Sequence, residues 1–120
     1  MSASKTFRTR YTDAVWGENA LRPAERLVAL AYVKYAGAKD PRTHEKAPDD
    51  IAWVEWVTLS TMTGIRSKTA LSRTMKALVE AGWMEQIEPA RQHRAPRYQL
   101  TIPADPEVRV RYLYADDETA

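Results

Sequence analysis

Residues 58–101, TLSTMTGIRSKTALSRTMKALVEAGWMEQIEPARQHRAPRYQLT, decide how this chain folds. Thr58 is a good N-cap for a short helix over 59–63, and Gly64 breaks that helix so that Ile65 can turn back toward a core. Ser67 is the N-cap of a second helix running from about 68 to 81, ended by Gly82. Within it Leu71, Met75 and Leu78 follow i, i+4, i+7 spacing and make a buried face, widened by Ala70 and Val79. Lys68, Thr69, Ser72, Arg73 and Lys76 fall on the opposite side. Residues 83–88 and 97–102 read as two strands around a turn over 89–96 rich in proline and arginine, hence a hairpin.

Working outward, the spacing predicts a central helix over 23–36. Pro23 suits N1, where a missing N–H costs nothing, and Gly37 suits C′. Leu27, Val28, Leu30, Ala31, Tyr32 and Tyr35 form a wide apolar stripe, as expected of a helix packed on several sides. Residues 38–50, with Pro41, Pro48, three aspartates and His44, show no periodicity and read as a surface loop. Residues 51–57 carry Trp53, Val54, Trp56 and Val57 and favour a short strand or an extended, buried segment. Residues 1–22 read as a basic N-terminal arm, flexible or loosely docked, anchored from Trp16 onward. After Pro103 and Pro106, Val108, Val110, Tyr112 and Tyr114 alternate with Arg109, Arg111 and Leu113, a period-2 strand pattern over 107–115 within a C-terminal extension, 103–120, that ends in an acidic tail.

The 120 residues are 44% hydrophobic and 28% charged, ordinary for one globular domain with its own core. Cysteine is absent, which excludes disulfides, thiolate nucleophiles and cysteine metal sites. The two histidines, His44 and His93, lie in turn-rich stretches, and no metal-ligand spacing accompanies them. No run approaches the roughly 18 apolar residues of a membrane span, and the basic, polar start has no signal-peptide core, so the expected location is the cytoplasm. Net charge is only +2. From 66 to 97, however, seven basic residues face three acids, whereas from 104 onward five acids face two arginines. A positive middle suggests a polyanionic partner.

The unit of short helix, glycine turn, basic helix and hairpin resembles the winged helix-turn-helix domains of bacterial, phage and plasmid DNA-binding proteins. The resemblance rests on Leu59, Thr63-Gly64-Ile65, Leu71-Ser72-Arg73, Leu78, Ala81-Gly82-Trp83 and Arg97-Tyr98-Gln99-Leu100-Thr101. It covers residues 23–102, with one residue more between Ile65 and Leu71 than the commonest spacing. It implies an α+β fold of about three helices plus a small antiparallel sheet carrying a β-hairpin wing, and sequence-specific binding of double-stranded DNA. The most natural role is a transcriptional regulator of a phage, plasmid or integrated element. A replication or partition protein holding repeated sites would use the same domain.

The physical chemistry of the stretch points the same way. The major groove admits one α-helix, which needs an apolar back and a front of Arg, Lys, Ser and Thr. Arg66, Ser67, Lys68, Thr69, Ser72, Arg73 and Lys76 are therefore the candidate recognition-helix contacts. Arg73, about one and a half turns in, is placed for a bidentate contact to guanine. Arg91, His93, Arg94 and Arg97 are the candidate wing contacts, on the backbone or in the minor groove. Lys5, Arg8 and Arg10 form a candidate arm. Val108, Val110, Tyr112 and Tyr114 are candidates for a homodimer contact, or for strand addition to a protein partner, which would make the chain an interaction module. The four tryptophans read as core or hairpin packing. Catalysis finds no foothold: there is no glycine-rich phosphate loop, nucleophile motif or paired carboxylate on one helix face. Asp49 and Asp50 are adjacent in a loop, with their side chains apart. No enzyme activity, cofactor or metal is expected.

Overall fold

In the computed structural model, residues 6–103 are described. Lys5 and the expected strand over 107–115, with Val108, Val110, Tyr112 and Tyr114, lie outside the described residues.

The basic arm expected at the N-terminus is instead a docked helix, α1 (Phe7–Gly17). Thr6 caps it, its hydroxyl accepting the Thr9 N–H at 3.2 Å. Phe7, Tyr11, Ala14 and Val15 recur at helical spacing, and the last three are buried against the core. The Tyr11 hydroxyl donates to the Trp83 carbonyl at 2.8 Å, and the two rings meet edge to face with centroids 5.7 Å apart. The anchor is therefore Tyr11. Trp16, expected to hold this segment, is 60% exposed.

Helix α2 (Pro23–Lys34) opens with Pro23 at N1, and Glu25 reaches back to accept the Arg22 N–H at 3.0 Å. It stops two residues short of the expected end, and Gly37 then takes φ +75°, a left-handed conformation natural to glycine. Packing against α1 on one side and the two later helices on others makes it the central helix. Its buried face differs from the expected stripe. Val28, Ala31 and Tyr32 are buried as read, with Ala29 and Val33 added, whereas Leu27 (45% exposed) and Tyr35 turn outward. The docking of α1, unforeseen from the composition of the arm, draws a different set of α2 positions inward.

Residues 38–50 are more ordered than a bare surface loop. Lys39 and Lys46 pair across a tight turn, Ala47 N–H bonds Ala38 C=O at 3.0 Å, and Asp40 N–H bonds Glu45 C=O at 2.9 Å. Only Ile51–Ala52 then forms a strand, β1. Helix α3 (Trp56–Thr63) begins three residues before the expected start, with Glu55 rather than Thr58 at the N-cap position. The β-branched and aromatic run favours extension locally, but packing of this segment against α2 overrides it. Gly64 ends α3 at φ +75°.

Ser67 caps α4 (Lys68–Glu80), its hydroxyl accepting the Ala70 N–H at 3.2 Å. Leu71, Met75 and Leu78 are its buried face, as the spacing predicts, although Val79 is 39% exposed and does not widen it. Strands β2 (Met84–Glu88) and β3 (Arg97–Leu100) form the hairpin. Their register runs Met84↔Leu100, Glu85↔Gln99, Gln86↔Tyr98 and Glu88↔Arg97, leaving Ile87 as a bulge. β1 pairs antiparallel with β3, giving a three-stranded sheet in the order β1-β3-β2. The architecture is thus α+β, four helices against a small antiparallel sheet, sharing one core centred on Tyr11, Val28, Leu59, Leu71, Leu78, Trp83 and Leu100. No helix among the described residues is long and apolar enough to cross a membrane.

Candidate functional site

Burial of Leu71, Met75 and Leu78 forces the other side of α4 into solvent. Lys68, Thr69, Ser72, Arg73 and Lys76 are all exposed, as are Arg66 and Ser67 in the preceding turn. From 56 to 79 the chain carries Arg66, Lys68, Arg73 and Lys76 and no acid, so this face is positive as far as Lys76, and exposed Glu80 closes it at the end of α4. The first backbone N–H groups of the helix add partial positive charge at the same end.

The exposed residues divide into two rows. Lys68, Ser72 and Lys76, four residues apart, line a groove of about 880 Å³ between α4 and the hairpin. Gln86, Arg91, His93 and Arg94 form its other wall, with Met75 and Tyr98 also lining it. Thr69 and Arg73 are not part of that lining and stand on the outer row. Lys68 lies 5.4 Å from the centroid of the Trp56 ring, a cation–π contact that orients the ammonium over the groove. Trp56, expected in core or hairpin packing, takes this place because α3 starts early enough to bring its ring within reach of Lys68.

At the hairpin tip the Arg91 and Arg94 backbones bond each other in both directions, at 3.0 and 2.9 Å. This closes a two-residue loop of Gln92 and His93, in which His93 adopts φ +61°. Arg91 and His93 are exposed there.

Two of the expected contacts, Arg97 and Arg8, are already committed within the protein. Arg97, expected on the wing, donates through Nη2 to Asp40 Oδ2. Its guanidinium lies 4.1 Å from the Trp53 ring centroid, and its Nε sits 3.2 Å from Glu88 Oε2 as an ion pair without hydrogen-bond alignment. Arg97 is therefore internal structure. Arg8, expected in the arm, donates to the Val33 and Lys34 carbonyls at 3.3 and 3.0 Å, satisfying the C-terminal end of α2. Arg10 is exposed, 5.9 Å from the Phe7 centroid on the same helix.

Asp40 is the buried charged residue that sequence reasoning passed over. The Arg42 backbone N–H, foremost, together with the Arg97 guanidinium and the Thr43 N–H, hold its carboxyl below the usual carboxylate range. No local pattern marks it, since Arg97 is 57 residues away. Asp49 and Asp50 diverge as expected: Asp49 pairs with Lys46 at 2.7 Å and Asp50 accepts from Gln99 at 2.9 Å.

Compared with family models, curated proteins and solved structures, the chain finds no significant match in any of the three.

Proposed function

We propose that the chain is a winged helix-turn-helix protein that binds double-stranded DNA sequence-specifically, with α4 in the major groove and the β2–β3 hairpin as the wing. From α2 onward, the order helix, strand, helix, helix, strand, strand with sheet order β1-β3-β2 supports the fold reading, α1 being an addition before it. One observation carries the functional reading: the basic row of α4, Lys68 and Lys76, and the exposed arginine of the hairpin tip, Arg91, border the same groove, with Glu55 also in its lining. A helix whose apolar back is buried and whose front bears Arg, Lys, Ser and Thr has the chemistry to sit against base edges flanked by phosphates. Lys68, Lys76, Arg91 and Arg94 contact phosphates, while Ser72 and Arg73 read bases. The biological role is transcriptional regulation by occlusion, from a homodimer on paired half-sites.

The test is binding to random duplex DNA across a salt series, repeated with sites selected from a randomised pool. Four phosphate contacts give a slope of log affinity against log salt of about −3 to −4, with a motif emerging from selection. No binding at low salt would leave α4 with a merely solvated charged face.

A further inference from the structure

Loop 38–50 reaches the hairpin through one carboxylate. Asp40 Oδ1 accepts the Arg42 N–H at 2.7 Å and the Thr43 N–H at 3.4 Å, closing the turn of its own loop. Its other oxygen holds Arg97 on β3 and lies 3.7 Å from Arg94 Nη2. Glu88 on β2 completes the cluster, 3.2 Å from Arg97 Nε and 3.7 Å from Arg94 Nη2. Two carboxylates thus face two guanidinium groups at the base of the hairpin, beside the bulge at Ile87.

The two arginines are not equivalent. Arg97 is held by Asp40, Glu88 and the Trp53 ring, and its side chain is 16% exposed. Arg94 is 31% exposed, and both its carboxylate contacts exceed hydrogen-bonding distance. It also lines the groove beside Lys76 and Arg91. A phosphate oxygen reaching Arg94 at hydrogen-bond distance gains a bond that neither carboxylate makes.

We infer that Asp40 is a positioning residue for the wing: it fixes the hairpin through Arg97 and keeps Arg94 aimed at the groove, ready to transfer to a phosphate. This rests on the DNA reading above for its ligand, but the clamp itself does not. It also supplies a role for loop 38–50, a brace between α2 and the hairpin.

The sign of one effect separates positioning from simple electrostatics. Removing a negative charge near a polyanion site raises affinity if only the field matters. Asp40→Asn, which keeps an acceptor for Arg42 and Thr43, lowers duplex affinity by roughly threefold or more if Asp40 aims the wing. Unchanged or increased affinity overturns the proposal. Arg94→Ala reduces the salt slope by about 0.9, whereas Arg97→Lys lowers affinity with the slope unchanged. Equal slopes for these two variants overturn the division of roles, and they serve as the test if Asp40→Asn does not fold. The DNA-free readout is water exchange of the Arg97 Nη2 protons, which bond Asp40, by NMR in the full chain. Exchange at least about tenfold faster in Asp40→Asn upholds the clamp and unchanged exchange overturns it. A wild type that binds no duplex overturns the aiming role by itself, and the Arg97 exchange still decides the clamp.

Discussion

Arg73→Ala separates recognition from stability, because the structure keeps the two apart at this position. Arg73 is exposed on the outer row of α4 and belongs to none of the described ion pairs. Alanine is an equal or better helix former, so the fold changes by no more than about 0.5 kcal/mol, and the melting curve of the variant overlays that of the wild type. Binding responds differently. A bidentate guanidinium–guanine pair is worth about 1–3 kcal/mol of discrimination, which converts to roughly 5- to 150-fold in affinity for the selected site. The loss is confined to one base pair. Fluorescence anisotropy on the selected duplex and on duplexes substituted one position at a time measures it directly. The wild type prefers one base at the contacted position, and Arg73→Ala accepts any base there at the weaker affinity. Two results refute this reasoning. Unchanged affinity and preference remove Arg73 from the interface altogether. A uniform loss on every sequence, with the salt slope reduced by about 0.9, makes Arg73 a phosphate contact rather than a reader of bases.

Two further predictions concern what presents that face. Tyr11→Phe loses about 0.5–1.5 kcal/mol by denaturant titration, because the Trp83 carbonyl keeps its second donor, the Thr101 N–H at 3.0 Å. Burial raises the Tyr11 phenol above its ordinary 10.0, so its contribution is complete below pH 10 and is lost as pH rises through and beyond that value. Stability measured between pH 9 and 11 therefore falls less steeply in Tyr11→Phe, with Tyr32 and Tyr98, both also raised by burial, sustaining the remaining slope. Ser67→Ala removes the acceptor of the Ala70 N–H and costs about 1 kcal/mol, read as a lower urea midpoint with an unchanged m-value.

The elements whose rules act over three or four residues were legible beforehand. Ser67 caps α4, Leu71, Met75 and Leu78 form its buried face, Gly64 terminates α3 in the left-handed region, and the β2–β3 hairpin forms where two strand patterns flank a polar turn. Capping bonds and apolar periodicity are local, so the residues that satisfy them sit side by side in the chain. The positive front of α4 follows from the same periodicity. Even α1 carried such a signal in Thr6, Phe7, Tyr11 and Val15, masked by the basic residues interleaved with them.

What only the tertiary structure decided is which of these side chains remain available. Arg8, Arg94 and Arg97 are the same residue type in similarly polar stretches, yet Arg8 satisfies the end of α2, Arg97 is held by Asp40 and Trp53, and Arg94 lines the groove. Exposure of Leu27 and Tyr35, and the early start of α3 that sets Trp56 under Lys68, likewise depend on how helices meet. The partners that commit Arg8 and Arg97 lie dozens of residues distant and are brought near only when the core closes. Local sequence therefore determined α4, its two faces and the hairpin, while long-range packing determined the start of α3, the buried face of α2 and which cations were left for a ligand.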